Sequence, residues 1–145
     1  MSLLAELGEW LAERRPSDFV WSPATMYDPS DPRAPITIGL IPLHIDRGIG
    51  LAVAPMDLAQ NIRAADEVPL QVKSRGLPED PTSSEELLDA VIAELRAAHN
   101  LRLPGGSWLA VVRVGAGRPG WLGQDGNRRH QHVINARLFI GRQPT

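Results

Sequence analysis

The chain has 145 residues, 43% of them hydrophobic and 22% charged, enough for one domain that buries roughly two-thirds of its unfolded surface. It has no cysteine, which excludes a disulfide framework, a thiol nucleophile and a thiolate metal site. The net charge is −2 but unevenly placed: residues 1–106 balance to −7, and residues 107–145 carry six arginines against Asp125 alone, +5. Such asymmetry points to nucleic acid, to copies meeting basic surface on acidic surface, or simply to two solvated faces.

Apolar runs are short and broken by Pro, Gly or charge, so no membrane span is expected. Glu6, Glu9 and Glu13 interrupt the opening segment, which therefore does not read as a signal peptide; a soluble, non-secreted protein is expected.

Taken in order, Ser2 to Arg14 reads as a helix, with Leu3, Leu4, Leu7, Trp10 and Leu11 on one stripe and Gly8 its weak position. Pro16 ends it. Ser17 to Pro35 is rich in Pro and Asp and reads as a surface loop after a short extended piece, Asp18 to Trp21. Ile36 to Ile45 is a strand that Pro42 places at an edge or bulge. Ile49 to Ala54 follows the Asp46–Gly48 turn and is expected to close a hairpin with it. Pro55 to Glu67 is ambiguous between helical turns and loop.

Val68 to Ala98 organises the chain. Val68, Leu70 and Val72 alternate with Gln71, Lys73 and Arg75, the period-2 mark of a strand with one buried face. Gly76, Pro78 and Pro81 are expected to stop it. Thr82 with Glu85, or Ser83 with Glu86, predicts a capping box, and Leu87, Leu88, Val91, Ile92 and Leu95 then share one helical face. Asn100 and Pro104-Gly105-Gly106 mark a stop and turn. Ser107 to Val114 and His130 to Ile140 read as strands joined by a glycine-rich connector, an antiparallel hairpin with a long mobile tip. The expected fold is α+β: a mixed, mainly antiparallel sheet with two main helices on one face.

Candidate chemistry is sparse. Gly115-x-Gly-x-x-Gly120 matches the dinucleotide fingerprint, but that motif needs a helix N-terminus right behind it, and Pro119, Trp121 and a further strand follow instead. His130-x-His132 puts two imidazoles on one strand face, with His44 and Asp46 as conceivable partners for zinc, yet two strand histidines are the plainer reading. No nucleophile elbow and no supported catalytic carboxylate pair stand in the chain. Trp121, flanked by Arg118, Arg128 and Arg129, suits a contact surface, because aromatic and arginine side chains dominate hot spots. Folding back on its own hairpin is the alternative for Trp121.

The run Leu70, Val72, Lys73, Arg75, Gly76, then Glu86, Leu87, Ala90, Ile92 and Leu95, resembles the tail terminator and minor capsid (neck) proteins of long-tailed bacteriophages. Gly123-Gln-Asp-Gly-Asn127, Arg129, His130, Asn135 and Arg137 resemble that family's terminal hairpin. The likeness covers most of the chain and is strongest over residues 68–141. It implies a non-enzymatic virion protein, without cofactor or metal, that forms a six-fold ring on the head-proximal end of the tail tube. Such a ring stops tube polymerisation and joins the head-side connector, so the implied partners are copies of itself, the tube protein and the connector or stopper protein. Another neck component, or a small nucleic-acid-binding domain, is the competing reading.

A closed ring needs two different patches that meet. The candidate interface residues are Arg113, Arg118, Trp121, Arg128, Arg129 and His130, with Lys73 and Arg75. Reversing Arg128 and Arg129 to Glu is expected to weaken assembly without unfolding the monomer.

Overall fold

A computed structural model describes residues 2–22, 28, 30–53, 67–115 and 118–141. The ambiguous Pro55 to Glu67 segment lies outside them except for Glu67 itself. Helix α1 spans Leu3–Arg14, and the Ser2 hydroxyl accepts a hydrogen bond from the Ala5 N–H at 3.2 Å, a side-chain cap of its first turn. Leu7, Trp10 and Leu11 are buried. Gly8, the weak helical position, has a packing reason: a Cβ there would stand 2.2 Å from the Trp21 ring. The helix gives up propensity so that the indole of the next strand lies against its backbone.

Strand β1 is Phe19–Trp21, β2 is Ala34–Ile38 and β3 is Gly48–Val53. They pair in parallel, with Phe19 opposite Ala34 and Ile36 opposite Ile49. The expected hairpin of β2 with β3 is therefore overturned. Strand β2 stops at Ile38, Gly39 turns with φ +83°, and residues 39–47 cross back over the sheet before β3 begins. Glycine makes the crossing possible. A Cβ at Gly48 would lie 2.8 Å from Ile41, and one at Gly50 would lie 2.6 Å from the Gly39 carbonyl. The connector rests on a strip of β3 that has no side chains on that face. Ile45, read from sequence as the end of a strand, is instead a buried residue of this crossing.

Strand β4 is Glu67–Pro78, and it runs antiparallel to β3. Helix α2, Pro81–Ala97, follows at once. Its cap is Asp80, whose Oδ1 accepts from the N–H groups of Thr82 (3.1 Å) and Ser83 (3.3 Å), with Pro81 in the first turn. This corrects the predicted capping box: Asp80 stands nearer the turn and takes the donors first. Leu87, Leu88, Val91, Ile92 and Leu95 are buried as the periodicity predicts.

Strand β5 is His99–Arg102, β6 is Trp108–Val114, β7 is Gly120–Gln124 and β8 is Arg129–Gly141. Two of these, β5 and β7, replace an expected turn and part of an expected mobile tip. Strand β8 lies between β4 and β6 and is antiparallel to both, with Val72 opposite Ile134 and Val112 opposite Leu138. Strand β7 pairs the first part of β8, Trp121 opposite His132, on the edge where β6 pairs the second. The sheet has eight strands in the order β1-β2-β3-β4-β8-β6-β5, with β7 beside β8.

The fold is α+β, and both helices share one core with the same sheet face. Leu7 and Leu11 from α1, Leu88 and Leu95 from α2, and Ile36, Leu51, Leu70, Val72 and Leu138 from the sheet belong to a single buried cluster. Glu6 fixes the far corner. Its buried carboxylate accepts from the Ser107 N–H (3.0 Å) and the Ser107 hydroxyl, tying α1 to the turn between β5 and β6. Among the described residues no helix is long and apolar enough to cross a membrane.

Candidate interaction surface

The sheet face away from the helices is where the candidate residues gather. On β4 and β8 the alternation sends Leu70, Val72, Ile134, Ala136 and Leu138 inward, so Lys73, Arg75, Asn135 and Arg137 face the other way. The crossing segment 39–47 covers part of this outer face, and two arginines bind it there.

Arg75, only 4% exposed, donates to the carbonyls of Asp46 (3.3 Å, Nε), Ile41 (3.3 Å, Nη1), and Pro42 and Ile45 (Nη2). Arg129, 1% exposed, donates from Nη1 to the carbonyls of Leu43 (2.9 Å) and Ile45 (2.7 Å) and lies 3.5 Å from the Asp46 carboxylate. Its Nε donates to Asp125 at 2.8 Å. Five backbone carbonyls of a non-repetitive loop thus accept hydrogen bonds from two planar guanidinium forks.

The electrostatics is tight. Burial, then the neighbouring Arg129 charge, pushes the Arg75 guanidinium down to about 10, still charged at neutral pH. Burial alone would raise the Asp125 carboxyl. Backbone hydrogen bonds from Arg129 and Asn127 and the bond to the Arg129 side chain outweigh it and hold that carboxyl below its ordinary range.

Arg75 and Arg129 are therefore not surface contact residues, which corrects their expected place in an interface. Each sits under a loop that the sequence read as strand. Arg129→Glu, contrary to the sequence expectation, is therefore expected to unfold the monomer, since a carboxylate there would face Asp125, Asp46 and the carbonyls of Leu43 and Ile45. The charge-reversal test belongs to Arg128 alone, which is exposed and paired with Glu79 at 2.7 Å.

What the two arginines hold up is apolar. Leu40 is 89% exposed and Leu43 76%, the most exposed large hydrophobic side chains among the described residues. A groove of about 430 Å³ runs beside them, lined also by Ile41, Pro42, Lys73 and Gln131. Sequence reasoning missed these leucines because it placed them in a strand. The available signal was Pro42 inside the β-branched run.

The remaining candidates are dispersed. Trp121 is 62% exposed, and its indole N–H donates to His130 Nδ1 at 3.0 Å, with ring centroids 6.0 Å apart, so it leans on its own hairpin while keeping one side open. Arg118 lies 3.7 Å from Glu85 on α2. Arg113 stands directly opposite Arg137 on the open sheet face; it lies over the Phe139 ring at 5.4 Å, and Arg137 pairs with Glu67. Gly117 of the glycine fingerprint lies outside the described residues, and strand β7 begins at Gly120 where nucleotide binding would need a helix. Among the described residues no group of three His, Asp or Glu side chains is placed to hold a metal ion.

His132 is buried rather than partly exposed. Its Nδ1 lies 2.9 Å from the Ser84 hydroxyl, itself 2.9 Å from Ser74, a polar link joining β8, α2 and β4. Burial first, then His130, pulls its pKa below the ordinary histidine value, against the opposing charges of Glu85 and Asp89. The unfolded chain then takes up a proton more readily than the folded one, so stability is complete above about pH 6.5 and declines as pH falls below it. Urea midpoints measured from pH 7.5 to pH 5 are expected to drop, and His132→Gln to flatten that drop. The Asp31 carboxyl, held at about 2 by Arg33, titrates below that window.

No protein-family model matches the chain, and no curated protein matches it in sequence. A solved protein chain whose name states no function is similar to it at 20% identity, over 97% of this chain and 91% of that one, with a TM-score of 0.45. That likeness carries no argument about fold or function.

Proposed function

We propose that this chain is a structural virion protein that forms a ring at the head-proximal end of a phage tail tube, ends tube growth and offers the head-joining surface. The reading rests on the resemblance of residues 68–141 to tail terminator proteins, and one observation supports it most. A rigidly held loop displays Leu40 and Leu43 to solvent, a feature that suits a protein whose work is contact. Trp121, Arg118, Arg128 and Lys73 supply further exposed or half-exposed contact groups. The partners are copies of the chain, the tube protein and a connector or stopper protein; another neck component is the nearest alternative within the same class.

The test is light-scattering mass after size exclusion, with electron microscopy of any large fraction, first alone and then with tail tubes. A closed ring of about six subunits is expected. A strict monomer that also fails to bind tube tips would sink the proposal.

A second reading has one observation in its favour. Arg113 opposite Arg137, with Lys73 on the same open sheet face, places like charges side by side, as phosphate-binding surfaces do. Filter binding across a salt series decides it, since phosphate contacts give a steep fall in affinity with salt.

A further inference from the structure

The exposed leucines need a receptor, and the chain itself carries a shallow apolar cleft elsewhere. It lies where the C-terminal half of α1 meets the edge strand β1, has a volume of about 340 Å³, is floored by Phe19, Val20 and Trp21, and is walled by Ala12 and Pro16. Arg33 also lines it but is held by Asp31 at 2.7 Å. Glu9 and Glu13 form the acidic rim, and neither makes an ion pair among the described residues. The loop side is the counterpart. Beside Leu40 and Leu43 stands Lys73, half-buried and likewise without an ion pair among the described residues. Asp46, the acid within the crossing segment, is drawn toward Arg129.

We infer that the Leu40–Leu43 loop of one copy seats in the α1–β1 cleft of a second copy, with Lys73 facing Glu9 and Glu13. The inference rests on the ring-forming reading and names its contact. Loop and cleft lie on different parts of the molecule: the loop on the outer face over β3 and β4, the cleft at the β1 edge beside the helix layer. One copy cannot satisfy its own pair. The contact is therefore heterologous, and each copy offers a loop to one neighbour and a cleft to the other, the arrangement that closes into a ring when the rotation fits. Rigidity favours it. The loop is already fixed by Arg75 and Arg129, so docking loses little further conformational freedom.

The absence of cysteine makes the test clean. Leu43→Cys and Val20→Cys are introduced into the full chain, singly and together, and oxidised mildly at concentrations where the protein assembles, or on tail tubes. A chain with one cysteine cannot link beyond a dimer. The double variant is expected to give a ladder of trimers and larger species on non-reducing gels that collapses on reduction. Leu43→Glu is expected to raise the dissociation constant of the assembly at least about tenfold, with an unchanged melting temperature because that side chain is solvent-exposed.

A double variant that assembles by light scattering yet stops at dimers overturns the loop-in-cleft contact and leaves the ring reading standing. Normal self-assembly of Leu43→Glu with failure to join tubes or heads would make the loop's receptor a different protein and overturn the second-copy assignment. No assembly of the unmodified chain, alone or on tubes, overturns both readings.

Discussion

Replacing Arg129 by alanine is expected to cost about 3–5 kcal/mol, the range for breaking a buried charged pair from one side. Single domains hold about 5–15 kcal/mol in all, so the variant is expected to be partly unfolded at 37 °C or to fail to accumulate. The loss is not mainly of packing. Asp125 remains largely enclosed without its cation, the Leu43 carbonyl loses its guanidinium donor, and the Ile45 carbonyl keeps only Arg75. Arg129→Lys is expected to rescue little, because one ammonium cannot reach toward Asp125 and the loop carbonyls from two separate nitrogens as the fork does. Urea denaturation gives the stability, and hydrogen exchange at residues 41–46 gives the location. Wild-type protection there in Arg129→Ala would mean that Arg75 alone holds the loop.

Gly76→Ala is expected to be among the most damaging single added methyl groups in the described residues. Its Cβ would lie 2.4 Å from the Ser84 backbone nitrogen and 2.8 Å from Ser83 Cβ. Neither atom is the free end of a flexible side chain, so the first turn of α2 must lift away from β4. Lifting it also strains the bond from the Leu77 N–H to the Ser83 hydroxyl (3.1 Å) and that from the Ser74 hydroxyl to the Ser84 carbonyl (2.8 Å). Overpacking of this kind costs about 1–3 kcal/mol and sometimes more. Gly126→Ala is the control, as a Cβ there meets nothing within 4 Å. Equal melting temperatures for the two variants would show that α2 rides on β4 more loosely than this contact implies.

The elements that sequence made legible are those whose own side chains decide them. The period of β4, the stripes of α1 and α2, and the inward row of β8 each declare a buried face, and each is found. Pairing direction is another matter. Whether β2 and β3 form a hairpin depends on Arg75 and Arg129, which lie far along the chain and supply donors to the returning loop. No window around Pro42 contains that information. The same fact hid the site. Arg75 and Arg129 read as surface charge because arginine is usually exposed, and Leu40 and Leu43 read as part of a strand because they sit among β-branched residues. Each assignment was reversed by one loop crossing one sheet face. Strands β5 and β7 were missed for a simpler reason: they carry polar residues or glycines at a sheet margin, where no alternation is required.

The position of β8 bears on how the chain comes to be made. The last strand of the described chain sits in the middle of the sheet, between β4 and β6. During synthesis everything before it emerges first, and for that interval β4 and β6 have open edges and an unfinished core. Helices α1 and α2 can form early but have no complete sheet to cover. The fold is therefore completed late and in one concerted step, with long-range pairings that close slowly. A nascent chain stalled before Arg129 would expose unpaired aliphatic strands to its neighbours on the polysome. That makes clients for chaperones of incomplete chains, whatever the finished protein goes on to contact.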